Sequence, residues 1–109
     1  MTNIDIDKII ASSLILVQIH LKYHRTEDFR KFEDLILATP EVIECHALGV
    51  GADYILKMIV RYIHHYQNKI EYFLNSELNI VSYYSHIVIK TIKQSDYPIK
   101  KLFNDENIT

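Results

Sequence analysis

Several side chains in this sequence stand at spacings that could do chemistry. His20, Lys22 and His24 share one parity of an extended segment, and Glu44 and His46 share a parity in another. Each set could present proton-transfer or metal-ligating groups on one face of a strand. The plainer outcome is that strand histidines make satisfied polar contacts at an interface. No metal motif of recognised spacing occurs, so neither a metal nor a cofactor is expected. His64 and His65 are adjacent, and a helix points them in different directions. Cys45 has only His46 as a basic neighbour, and successive strand residues face opposite sides. A structural cysteine is therefore expected, and no catalytic residue is assigned.

A different kind of candidate lies between those segments. The chain has two glycines, and both fall in Gly49, Val50, Gly51, Ala52 and Asp53. Glycine tolerates positive φ and permits close approach, so this bend serves geometry, binding, or both. Asp53 could accept a hydrogen bond from a ligand ammonium, or it could cap the hairpin through its own backbone. The sequence leaves both roles open. Eight tyrosines with no tryptophan could stack on nucleic acid, but they lack a basic frame and are expected to pack an interface.

Such groups need a scaffold, and composition allows one. With 109 residues, 49% hydrophobic and 24% charged, the chain has the size and make-up of one globular domain. Its apolar run at residues 14–17 stops at Gln18, and residues 1–7 carry acidic groups where a signal peptide needs basic ones. One cysteine forms no internal disulfide, which fits a reducing compartment, and the cytosol is the expected location. A formal charge of −2 gives no electrostatic reason to seek DNA.

Residues 13–22, SLILVQIHLK, read as a strand from β-branched content and alternation. Thr26 can cap a helix that carries Phe29, Phe32, Leu35 and Ile36 at helical spacing, and Pro40 stops it. Strands at 42–48 and 52–61 flank the glycine bend as a hairpin. Ile63, Tyr66, Ile70, Phe73 and Leu74 mark a second helix, and 80–93 reads as a last strand. The order β-α-β-β-α-β is the ferredoxin-like arrangement of an α+β fold, with the domain over 13–95 between a segment at 1–12 and a tail at 96–109.

The sheet has an unusual second face. One parity offers Val17, Ile19, Leu21, Ile43, Cys45, Leu56, Met58 and Val60, and the other Leu14, Leu16, Val42, Leu48, Ile55 and Ile59. A sheet with one wet face should alternate cleanly, so something covers the second side. Both helices are already used on the first. A second copy is the simplest cover, giving a face-to-face dimer.

The wording of the sequence then becomes informative. FRKFEDLILATPEVIECHALGVGADYILKMIV, preceded by VQIHLK and followed by IVIKTIKQS, resembles the effector-binding domain of Lrp/AsnC-type (feast/famine) transcription regulators from Leu14 to Ser95. The resemblance implies a dimeric α+β barrel, larger rings of dimers, and an amino-acid effector bound where dimers meet. It maps the site onto Gly49, Val50, Gly51, Ala52 and Asp53, with Tyr83 and Ser85 as neighbours from the last strand. Two features depart from the family pattern. Val50 stands where a glycine is common, and residues 1–12 are too few for the helix-turn-helix domain that usually precedes.

The reading is a stand-alone, non-enzymatic effector-binding and oligomerisation domain. Its expected partners are copies of itself, full-length regulators of the family and a small amino acid, with no direct DNA binding and no membrane. The alternative is a small α+β-barrel enzyme of monooxygenase or isomerase type, which would place a perturbed His or Glu, with His20 and His46 as candidates, beside a closed apolar pocket between helices and sheet.

Overall fold

A computed structural model describes residues 13–95. The elements follow the expected order: β1 (Ser13–Leu21), α1 (Thr26–Leu37), β2 (Val42–Ala47), β3 (Tyr54–Val60), α2 (Ile63–Leu74) and β4 (Ile80–Val88). They form one four-stranded antiparallel sheet, ordered β2-β3-β1-β4. This is the βαββαβ topology of an α+β fold.

Alternation in the two central strands sets the core. Ile15, Val17, Ile19 and Leu21 of β1 lie on the helix side, matched in register by Met58, Leu56 and Tyr54 of β3. Phe32 and Ile36 of α1, and Tyr66, Ile70 and Phe73 of α2, close over them at three- and four-residue spacing. Leu56 is fully buried, and removing such a side chain from water contributes about 1.5–3 kcal/mol. Ile63 and Leu74, also expected on the buried stripe of α2, are 45% and 43% exposed.

The ends of α1 show which local signals prevailed. Arg25, not Thr26, occupies the N-cap position, and the Asp28 carboxylate reaches back to accept the Arg25 N–H at 3.1 Å. Arg25 Nε donates to the same oxygen at 2.8 Å. The ion pair adds to what a threonine hydroxyl would supply, and it keeps the carboxylate in the positive field of the helix start. At the other end the Thr39 hydroxyl donates to the Leu35 carbonyl at 2.7 Å, and Pro40 follows.

The expected assignment of β2 residues to faces is corrected. A bulge between Val42 and Glu44 pairs Val42 with Met58 and Cys45 with Leu56, so Val42 packs against the core. Ile43 is the extra residue and is half exposed. The last strand also stops sooner than its apolar content implied, at Val88 instead of Lys93.

Leu14, Leu16, Gln18 and His20 of β1, with Ile55, Lys57 and Ile59 of β3, point away from the helices. All are partly buried by their neighbours; Thr91, Lys93 and Gln94, beyond β4, line a recess with Leu14, Leu16 and Lys57, and among the described residues no helix or strand lies over the face. That bare face and the β2–β3 connection at its end frame the site.

Candidate functional site

The β2–β3 connection is held by both main chain and side chains. The Leu48 N–H donates to the Asp53 carbonyl at 2.9 Å, and the Asp53 N–H donates to the Ile19 carbonyl at 2.9 Å. The first bond closes the hairpin; the second ties it to β1. Gly51 adopts φ +93°, a region that side chains with a Cβ resist, while Gly49 has no such φ and open space around its missing Cβ. Only one of the two glycines is thus required by the backbone. Val50 is 93% exposed at the tip.

Asp53 takes its expected backbone role and adds a side-chain contact outside the hairpin. Its backbone closes the hairpin, but its carboxylate leaves it: Oδ2 accepts the Leu21 N–H at 2.7 Å and meets His24 Nε2 at 3.2 Å. The aspartate therefore bridges the loop to the end of β1. Oδ1 has no hydrogen-bond partner among the described residues and remains able to accept one. His20 Nε2 reaches the Gly51 carbonyl at 2.5 Å from the bare side of the sheet.

Between these anchors lies a recess of about 250 Å3, lined by His20, His24, Gly49, Gly51, Ala52 and Asp53 together with Leu21. The N–H groups of Val50, Gly51 and Ala52 have no hydrogen-bond acceptor among the described residues. Gly51 and Ala52, whose amides lack an acceptor among the described residues, line the recess together with Asp53, whose Oδ1 is unengaged; donors and an acceptor so close together suit a small zwitterion. Ligand pockets commonly span about 300–1,000 Å3, so one chain supplies a partial enclosure.

Tyr83 and Ser85 stand elsewhere within a single chain. They pair with Ile19 and Val17 across β1, on the helix side of the β4 edge. Ser85 shares a hydrogen bond with the Tyr66 hydroxyl, and Tyr83 lines a separate groove with Tyr66, Ile70 and Leu74 of α2. The β4 residue beside the loop's anchors is Tyr84, whose ring meets His20 edge-on at 5.9 Å. The shared parity of His20 and His24 does not by itself join them to the glycine bend. Their link depends on the β1–β3 register, which local spacing does not carry.

The other reactive groups are engaged structurally. Glu44 accepts from His46 at 3.1 Å and from Lys57 at 3.4 Å, contacts that hold its carboxyl below the usual range. Burial, and then the nearby Glu33 carboxylate, pushes the Cys45 thiol up to about 11, so it remains protonated and a poor nucleophile. A cleft of about 280 Å3 between α1 and the sheet edge is lined by Glu33, Ile36, Leu37, Cys45, Ala47 and Tyr54, with Tyr54 donating to Glu33 at 2.5 Å. Neither His20 nor His46 lines it, whereas Glu33 does. Among the described residues no three metal-ligating side chains gather.

This sheet-and-loop geometry has relatives. The Lrp/AsnC ligand binding domain family matches residues 14–98, and the chain belongs to that family. It is 42% identical over 88 residues to the transcriptional regulatory protein DoeX of Halomonas elongata, a match covering 81% of this chain and 56% of DoeX. An AsnC family transcriptional regulator from Agrobacterium tumefaciens superposes with a TM-score of 0.76 at 21% identity, over 89% of this chain and 63% of that one. A transcriptional regulator from Neisseria meningitidis, solved as an L-methionine complex, gives 0.77 at 19% identity over the same shares. The chain thus spans little more than half the length of the curated relative it matches. Among the described residues no helix is long and apolar enough to cross a membrane.

Proposed function

We propose that this chain binds an amino-acid effector at the β2–β3 loop and assembles through the bare face of its sheet, forming a dimeric α+β barrel. The observation that carries the reading is the loop itself: Gly51 at positive φ, free amides at 50–52, and Asp53 anchored through one oxygen with the other open. The amides suit a carboxylate and Asp53 Oδ1 an ammonium. The relative solved with L-methionine supports the ligand class.

Assembly follows from the face carrying Leu14, Leu16, Ile55 and Ile59. Stacking a second sheet on it buries apolar surface at about 25 cal/mol per Å2, and a two-fold pairing matches each patch to itself. The corresponding face of a longer family member would fit the same way, which gives a route to transcription: mixed assembly changes how many DNA-reading modules are linked. Tyr83 and Ser85 would join the effector site only from another copy.

Calorimetric titration with L-methionine and the other common amino acids tests the ligand, and sedimentation at micromolar concentration tests the assembly. Saturable binding to an oligomer is expected. A monomer that binds no amino acid would refute both parts.

A further inference from the structure

We propose that His20 couples the β2–β3 loop to the bare sheet face, so that a second copy on that face fixes the loop in its binding shape. This rests on the reading that a second copy covers the face. His20 lies on β1 in the row of Leu14, Leu16 and Gln18, pointing away from the helices. Its Nε2 meets the Gly51 carbonyl at 2.5 Å. A carbonyl only accepts, so Nε2 carries the hydrogen and Nδ1 is the nitrogen left over. Nδ1 is buried and has no partner among the described residues.

On its other side the ring sits edge-on to Tyr84, with centroids 5.9 Å apart and planes at 86°. Tyr84 is 55% exposed and, paired with Gln18, lies on the bare face. One imidazole therefore touches the loop and also an aromatic ring that a covering copy would meet. The remaining anchors of the loop reach β1 backbone at Ile19 and Leu21, or His24 beyond the strand, and none involves an exposed residue of the bare face.

The Gly51 carbonyl matters because the Gly51–Ala52 peptide is planar. Holding its oxygen sets the direction of the Ala52 N–H, one of the free donors of the recess. Gly51 can rotate this plane more readily than another residue could. A covering copy that restricts Tyr84 restricts the His20 ring, and the ring restricts that plane. Free, unassembled chain would sample more orientations, so assembly and effector binding become linked through one side chain.

The test needs no effector. Amide NMR spectra of the 15N-labelled protein are recorded across the concentration range in which sedimentation shows association. In the wild type the Gly51 and Ala52 amides should move in step with the bound fraction. In His20→Leu, compared at equal bound fraction, they should stop following, while Ile55 and Ile59 amides still report the contact. Tyr84→Ala, at an exposed position that threatens folding less, should uncouple the loop as well. His20→Gln, which restores an N–H donor, should recover part of the response. Loop amides that stay still in the wild-type dimer, or that follow association equally in His20→Leu and Tyr84→Ala, would overturn the coupling and leave the dimer standing. A wild-type chain that remains monomeric would overturn the dimer reading and the coupling with it.

Discussion

The Asp53 carboxylate accepts the Leu21 N–H at 2.7 Å, so the β2–β3 connection is fastened to the end of a central strand by a side chain thirty-two positions away in sequence. The same residue offers its second oxygen to the recess. Under the proposed function scaffold and recognition would meet in one carboxylate, and substitutions can separate them.

Asp53→Asn keeps an acceptor for Leu21 but loses the charge an ammonium would meet. Stability should change by less than about 1 kcal/mol, while amino-acid affinity falls roughly tenfold or more. Asp53→Ala should lose both, costing about 1–3 kcal/mol in folding because the Leu21 N–H is left without its partner. Urea unfolding and calorimetric titration measure the two effects independently.

The glycines should respond unequally. Gly49→Ala introduces a Cβ into open space and should stay within about 0.5 kcal/mol of wild type. Gly51→Val places a β-branched residue at φ +93° and should cost about 1–3 kcal/mol, or force a rearranged loop that no longer binds effector. Paired urea midpoints decide the contrast.

A charge on the bare face should oppose assembly without unfolding the subunit. Ile55→Glu or Ile59→Glu sits on the side of β3 opposite the core, beside β1. Burying an unpaired carboxylate in an apolar contact is costly, so the dissociation constant should rise at least tenfold. Sedimentation reads the loss, and circular dichroism verifies that the fold persists.

Acid should destabilise the subunit through two fixed carboxylates. The hydrogen bond from Arg25 holds Asp28 below its ordinary range, with burial opposing. For Glu41, burial pushes upward, but its own backbone N–H, His65 and Lys69 together bring it lower. A carboxyl depressed in the folded state contributes stability that is fully present above its unfolded value and is lost as pH falls through the folded one. Stability should therefore decline below the ordinary carboxylate range. Arg25→Gln should flatten that decline, measured as urea midpoints against pH.

Much of this fold could be read from periodicity. Val17, Ile19 and Leu21 alternate, Phe32 and Ile36 and then Tyr66, Ile70 and Phe73 recur at helical spacing, and all are buried as that pattern requires. What escaped was cross-strand detail. The bulge at Ile43 exchanged the faces of Val42 and Ile43, which a strict two-residue period does not foresee. The Arg25–Asp28 pair displaced Thr26 as cap because a charged side chain outside the usual capping set could reach the helix start. In the candidate site, the glycine bend was legible from residue type, and Asp53 stood out as a binding candidate only with the family resemblance. Their anchors His20 and His24 were not legible, since both contacts depend on how β1 and β3 align.

The most direct measurement is a map of where the effector lands. With L-methionine as first probe and the other common amino acids after it, amide shifts in the labelled protein should concentrate on Gly49, Gly51, Ala52 and Asp53, and extend to His20 and His24. Asp53→Asn should need about tenfold more ligand for the same shifts. Shifts that gather instead on Cys45 and Tyr54 in the α1 cleft, or on Tyr66 and Tyr83 in the α2 groove, would contradict the assignment of the site.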